Sequence, residues 1–187
     1  MASQEQKIEH LSHHLPYEVL MLRHAHSRMN SPGYPLDWNA YYEAFALHAR
    51  VLLDFLENKS DGRNFRKSDF SDTFKAETDQ EIQRIVRQEM NCQVIHFGKS
   101  RKSEPSGKVD LEKVNRVHKW VMDNFSRFLA ELDDDLKGHW DPDQANPEKF
   151  HEKYTNASKA LSLGKQNQTA SSGDCMGVKF DTTSLKR

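Results

Sequence analysis

Between Asp37 and Phe55 the chain spaces Trp38, Tyr41, Phe45, His48, Leu52 and Phe55 three and four residues apart, and no other feature restricts the fold as tightly. That spacing lines one face of a helix turning every 3.6 residues and excludes a half-buried strand, whose side chains alternate. Ala40, Ala44, Ala46 and Ala49 raise the helix propensity and allow close approach of a neighbour. Asp37 is expected as its N-cap, and Lys59-Ser60-Asp61-Gly62 as its end.

Three more stretches carry the same period. In the first, Leu15, Val19, Leu22, His26 and Met29 follow one another with Pro16 in the opening turn, and Asn30-Ser31-Pro32-Gly33 stops them. Residues 63–77 are irregular, with Phe65, Phe70 and Phe74 expected to pin a loop to the core. The third helix is expected from Thr78 as N-cap, through Ile82, Ile85 and Val86, to about His96, with Gly98 as stop. A fourth begins near Asp110, carries Val114, Val117, Val121, Phe125, Phe128, Leu132 and Leu136, and ends before Gly138. A short fifth is expected at 147–162. Together these predict an all-α fold, an antiparallel bundle of about four long helices with a short fifth. The domain is expected to span 1–161. Residues 162–187, rich in Gln, Asn, Ser, Thr, Gly and Lys, bury too little to repay ordering and read as a disordered polar tail.

Mean hydropathy of −0.88 agrees with a folded part joined to a polar segment. With 27 basic and 28 acidic residues the formal charge is −1, so no global field draws nucleic acid or an anionic membrane, and a polyanion site must be local. Two cysteines, Cys92 and Cys175, form no disulfide framework and suit a reducing compartment. No signal-peptide core and no membrane-length apolar run is present, so the expected address is the cytoplasm, with no membrane partner.

Ten histidines raise the question of a metal. His24 and His26 face different ways on a helix, Glu43 and His48 are five apart, and no His-x-x-x-His pair falls inside the predicted helices. Neither metal nor cofactor is expected. The acidic run Glu131, Asp133, Asp134, Asp135 reads as the solvated end of the fourth helix. On the second helix, His48 lies in the apolar stripe and needs a polar partner, and Glu43, His48 and Arg50 are read as structural polar groups. His96, followed at once by Lys99, Ser100, Arg101 and Lys102, is the strongest candidate for chemistry. An imidazole beside clustered cations suits a phosphate or RNA backbone, with His96 as acid or base and the cations on developing negative charge.

The stretch from Asn39 to Phe55, with its Tyr41-Tyr42-Glu43-Ala44-Phe45-Ala46-Leu47-His48-Ala49-Arg50 core, resembles a helix of small bacterial HEPN-like helical-bundle proteins, as does Asn91-Cys92-Gln93-Val94-Ile95-His96. The resemblance covers some 40 residues. It implies a compact, usually dimeric α-helical domain, either an RNA-cutting toxin or defence protein or a non-catalytic nucleotide- or RNA-binding module. It would make His96 the motif histidine and Asn91 the polar position, with Lys99, Arg101 and Lys102 toward nucleotide or RNA. The motif arginine should precede the histidine by five to seven residues, where this chain has Glu89, Met90 and Asn91. That departure favours a non-catalytic module that binds nucleotide, RNA or a protein partner in a defence or toxin–antitoxin setting. A metal-independent ribonuclease using His96 and a purely structural bundle are the alternatives.

Overall fold

The computed structural model describes residues 2–31, 33, 35–59, 64–94, 109–153 and 155, in side-chain detail except at 35, 92 and 93. Ser3 opens the chain's first helix, well ahead of the apolar stripe that begins at Leu15. Its hydroxyl accepts from the Gln6 N–H at 3.2 Å, and its own N–H donates to Gln6 Oε1 at 2.9 Å, a reciprocal capping box. The helix α1, Gln4–Glu9, runs through a π turn at His10–His14 into α2, Leu15–Met29. Pro16 does stand in the first turn of α2, but that turn continues a helix already formed. Leu15 N–H donates to His10 O, five residues back. The widened turn leaves room for a ring that would otherwise collide with the carbonyl four residues before it.

The next helix, α3, is Pro35–Leu56. It starts ahead of Asp37, which sits in the first turn rather than at the cap, because a proline preset for helical φ begins the helix. Asn58, at φ 58°, ends it in the left-handed conformation, and Lys59 N–H returns to Asp54 O at 2.8 Å. Among the described elements, α2 and α3 make the most extensive helix pair.

In the connection after α3, Phe70 and Phe74 are fully buried and Phe65 half-buried, so the aromatic loop does pin itself to the core. The helix α4, Gln80–Arg84, is capped by Asp79, not Thr78. Asp79 Oδ1 accepts from Glu81 N–H at 2.9 Å and Ile82 N–H at 3.1 Å, and a carboxylate serves both better than a hydroxyl. A second π turn, Ile85–Met90, leads to α5, Asn91–Val94.

Asp110 caps α6, Leu111–Ala130, through Lys113 N–H at 2.8 Å. Its stripe, Val114, Val117, Val121, Phe125 and Phe128, is buried as its spacing predicts. The helix stops at Ala130, however, short of Leu132 and Leu136. Ser71 Oγ donates to Glu131 O, and Asp133 N–H donates to Phe70 O at 3.1 Å, which draws the chain off the helix axis. Leu132 and Leu136 are still buried, but from irregular chain. The acidic run is thus a turn, not a helix end.

Phe128 sits at the centre of the core, with the rings of Phe55, Phe74 and Phe125 at 5.2, 5.6 and 5.6 Å. Asn124 is one of the polar residues buried there: Oδ1 accepts from Glu77 N–H at 2.8 Å and Nδ2 donates to Trp120 O at 3.0 Å. The fold is an all-α helical bundle with no strand among the described residues. Among them no helix is long and apolar enough to cross a membrane. The chain divides into two units, Met1–Phe150 and His151–Arg187. Residues 147–153 are helical, and the expected tail, 162–187, lies outside the described residues.

Candidate functional site: a histidine-lined cleft on the helix pair

The π turn at His10–His14 also shapes a recess. Between it, α2, the C-terminal half of α3 and the start of the aromatic loop lies a cleft of about 490 Å³. That volume falls in the ordinary range for small-molecule sites. His10, His14 and Glu18 form one wall, each four residues from the next. Arg50, Asp54 and Phe55 of α3 form the other, and Lys59, Asn64 and Phe65 the rim.

The lining around His10 is aromatic. His10 lies 4.5 Å from the Phe65 ring, tilted by only 26°, with Phe70 at 5.8 Å and His14 at 5.3 Å. Burial, and secondarily the charge of His14, push the His10 pKa down from 6.5 to about 4, so the ring is neutral at neutral pH.

The charged groups come in pairs. His48 Nδ1 donates to Glu18 Oε2 at 2.7 Å, which answers the need of the buried imidazole and fixes the carboxylate in place. Arg50 Nε donates to Asp54 Oδ2 at 2.7 Å. Behind that pair Arg87 bridges Asp54 and Glu57, the latter at 2.9 Å, and Lys59 Nζ lies 3.5 Å from Glu57. Each cation at the cleft already faces a carboxylate.

A second histidine cluster lies between α2 and α6. His26 and His118 stack at 3.8 Å with rings 5° from parallel, and His26 Nε2 is 2.8 Å from Asn115 Oδ1. Burial, then His26 and Arg23, lower the His118 pKa to about 4.

Of the residues singled out by sequence, His48 and Arg50 meet partners at or behind the cleft, while Glu43 lies exposed on α3. Asn91 opens α5 and is half-buried. His96, Lys99, Arg101 and Lys102 lie outside the described residues. The sequence reading takes His10, His13 and His14, crowded near the N-terminus, as solvated or hydrogen-bonded groups and does not single out Glu18, because it begins the first helix at Leu15. The signal was present: Ser3 followed by Gln6 is a capping-box pattern that starts a helix at Gln4 and puts His10 and His14 four apart on it. This corrects the expectation that no such histidine pair falls on a helix. Even so, no group of three His, Cys, Asp or Glu residues among those described is placed to hold a metal ion. Compared with protein-family models, curated proteins and solved structures, the chain matches none of them.

Proposed function

We propose that this chain is a non-catalytic, HEPN-like module that binds nucleotide or RNA, and that the cleft is where it does so. The near-parallel His10–Phe65 pair at the mouth of a 490 Å³ recess carries this reading, because a flat, half-exposed π surface accepts a nucleobase. Two facts add to it. The α3 segment with the HEPN-like resemblance supplies Arg50, Asp54 and Phe55 to the cleft. The same segment supplies the His48 that orients Glu18. A bacterial defence setting and a homodimer follow from the resemblance and belong to this proposal.

Fluorescence anisotropy with labelled mononucleotides and a short mixed-sequence RNA tests it. Stacking contributes about 1–3 kcal/mol per base, so Phe65→Ala should weaken binding by roughly five- to a hundredfold. Absence of binding to every nucleotide and RNA by folded wild type would remove the reading. Cleavage of that RNA in EDTA, lost in His96→Ala, would instead establish the ribonuclease alternative.

A further inference from the structure

A nucleotide has two handles, a charged phosphate and a heterocyclic base, and the cleft is not equally suited to both. Its cations are engaged: Arg50 with Asp54 at 2.7 Å, Lys59 near Glu57 at 3.5 Å. A phosphate entering here would have to compete with carboxylates already in place, and would meet Glu18 on the opposite wall. The parts that suit a neutral planar ring are better developed. They are the stacked Phe65–His10 pair and one carboxylate held in a fixed direction by His48. The His10 ring adds no charge of its own at neutral pH.

A carboxylate accepts and does not donate. It recognises an edge with two adjacent N–H donors and repels one presenting a ring-nitrogen lone pair at the same place. Among the standard bases guanine has that edge, through its ring N1–H and exocyclic N2–H. Adenine offers an amine beside an unprotonated N1. A Glu18 oxygen bonded to His48 keeps a second lone pair, so both oxygens remain usable.

We propose that the cleft captures a guanine base, stacked against the Phe65–His10 ring pair where it lines the cleft and hydrogen-bonded through its N1–H and N2–H edge to Glu18. This rests on the nucleotide-binding reading and narrows it, since the base is bound and the phosphate is left to solvent. Hydrogen bonds to a charged acceptor are stronger than neutral ones.

Calorimetric titration of the full chain with guanosine, inosine, adenosine and guanosine monophosphate, at low and high salt, separates the outcomes. Guanosine and its monophosphate should bind alike, with little salt dependence. Inosine, lacking the amine, should bind roughly tenfold more weakly, and adenosine weaker still. Glu18→Gln should bring guanosine and inosine level while keeping the helical circular dichroism. Phe65→Ala, at the rim and not in the core, should weaken every ligand together. Equal binding of guanosine and adenosine overturns the proposal. So does binding of the monophosphate or RNA that falls steeply with salt and that guanosine fails to compete, although the nucleotide reading would survive it. If no nucleoside, nucleotide or RNA binds, both readings fall.

Discussion

The two histidine clusters are built from the same parts and do different things. Each has a half-buried imidazole next to a second one, with a pKa lowered to about 4 by burial first. His26 and His118 lie face to face at 3.8 Å between two long helices, so each ring's main surface is covered by the other. His10 and His14 meet at 5.3 Å in a tilted arrangement, and the space beside them opens into the cleft. An imidazole with a displaced pKa is thus no mark of a binding site by itself. What separates the pair on the π turn is concavity, aromatic lining and an oriented carboxylate in one place.

The comparison can be broken at several points. The largest effect should come from Phe70→Ala. That ring is fully buried beneath His10 and Phe65, so its loss should cost about 3–5 kcal/mol in urea unfolding and collapse the cleft. A substitution that leaves the cleft's ligands unaffected would show that this ring is not what holds it open. Next, His48→Ala strips Glu18 of its 2.7 Å partner and should cost about 1–3 kcal/mol. The same loss from a His26→Ala change would erase the distinction between a fixed carboxylate and a stacked ring. Asp110→Ala, far along α6 from the cleft, should cost about 1 kcal/mol by loss of a cap and leave ligand affinity unchanged.

The smallest and most diagnostic effect is on pH. His10 and His118 both bind protons more readily unfolded, near 6.5, than folded, near 4. Stability from keeping them neutral is therefore complete above about pH 6.5 and declines as pH falls toward 4. The groups involved are His14, Glu18 and Asp69 around His10, and His26, Arg23 and Asp123 around His118. Each ring retains contact with water, which limits the size of the effect. Melting temperature measured from pH 7 to pH 4 should fall less in His118→Gln than in wild type. Saturating ligand should protect against the His10 part alone, and equal protection in both clusters would mean the cleft is not the binding site.

Much of the fold was legible in the sequence, and the reason lies in the apolar period. The stripes of α3 and α6 fall where counting by threes and fours puts them, and Asp110 caps as its side chain allows. Errors gathered at the places that periodicity does not reach. The Gln4–Glu9 turn buries none of its residues, so no apolar stripe announces it, and only the Ser3–Gln6 capping box does. Leu132 and Leu136 kept the helical period but sit in irregular chain, since a hydrogen bond from Ser71, distant in sequence, ends α6 early. Neither π turn leaves a mark in the hydrophobic pattern. For the site, the need of His48 for a polar partner was legible and the partner was not: Glu18 is thirty residues away on another helix. The cleft depends on that missed N-terminal helix, so it went unseen as well.

The extra residue carried by His10–His14 sets the angular phase of everything upstream of it. A regular helix advances about 100° per residue, so winding the same five residues as ordinary helix would swing the first two turns around their axis while α2 stayed in step. Ile8 would leave the core it packs against, and Gln4 would lose Asp135, now 2.6 Å away. His10 would turn away from Glu18, which keeps its place on α2, with no change in composition. The way this short turn is wound, and not only which residues it holds, therefore decides how the N-terminal turns meet the core.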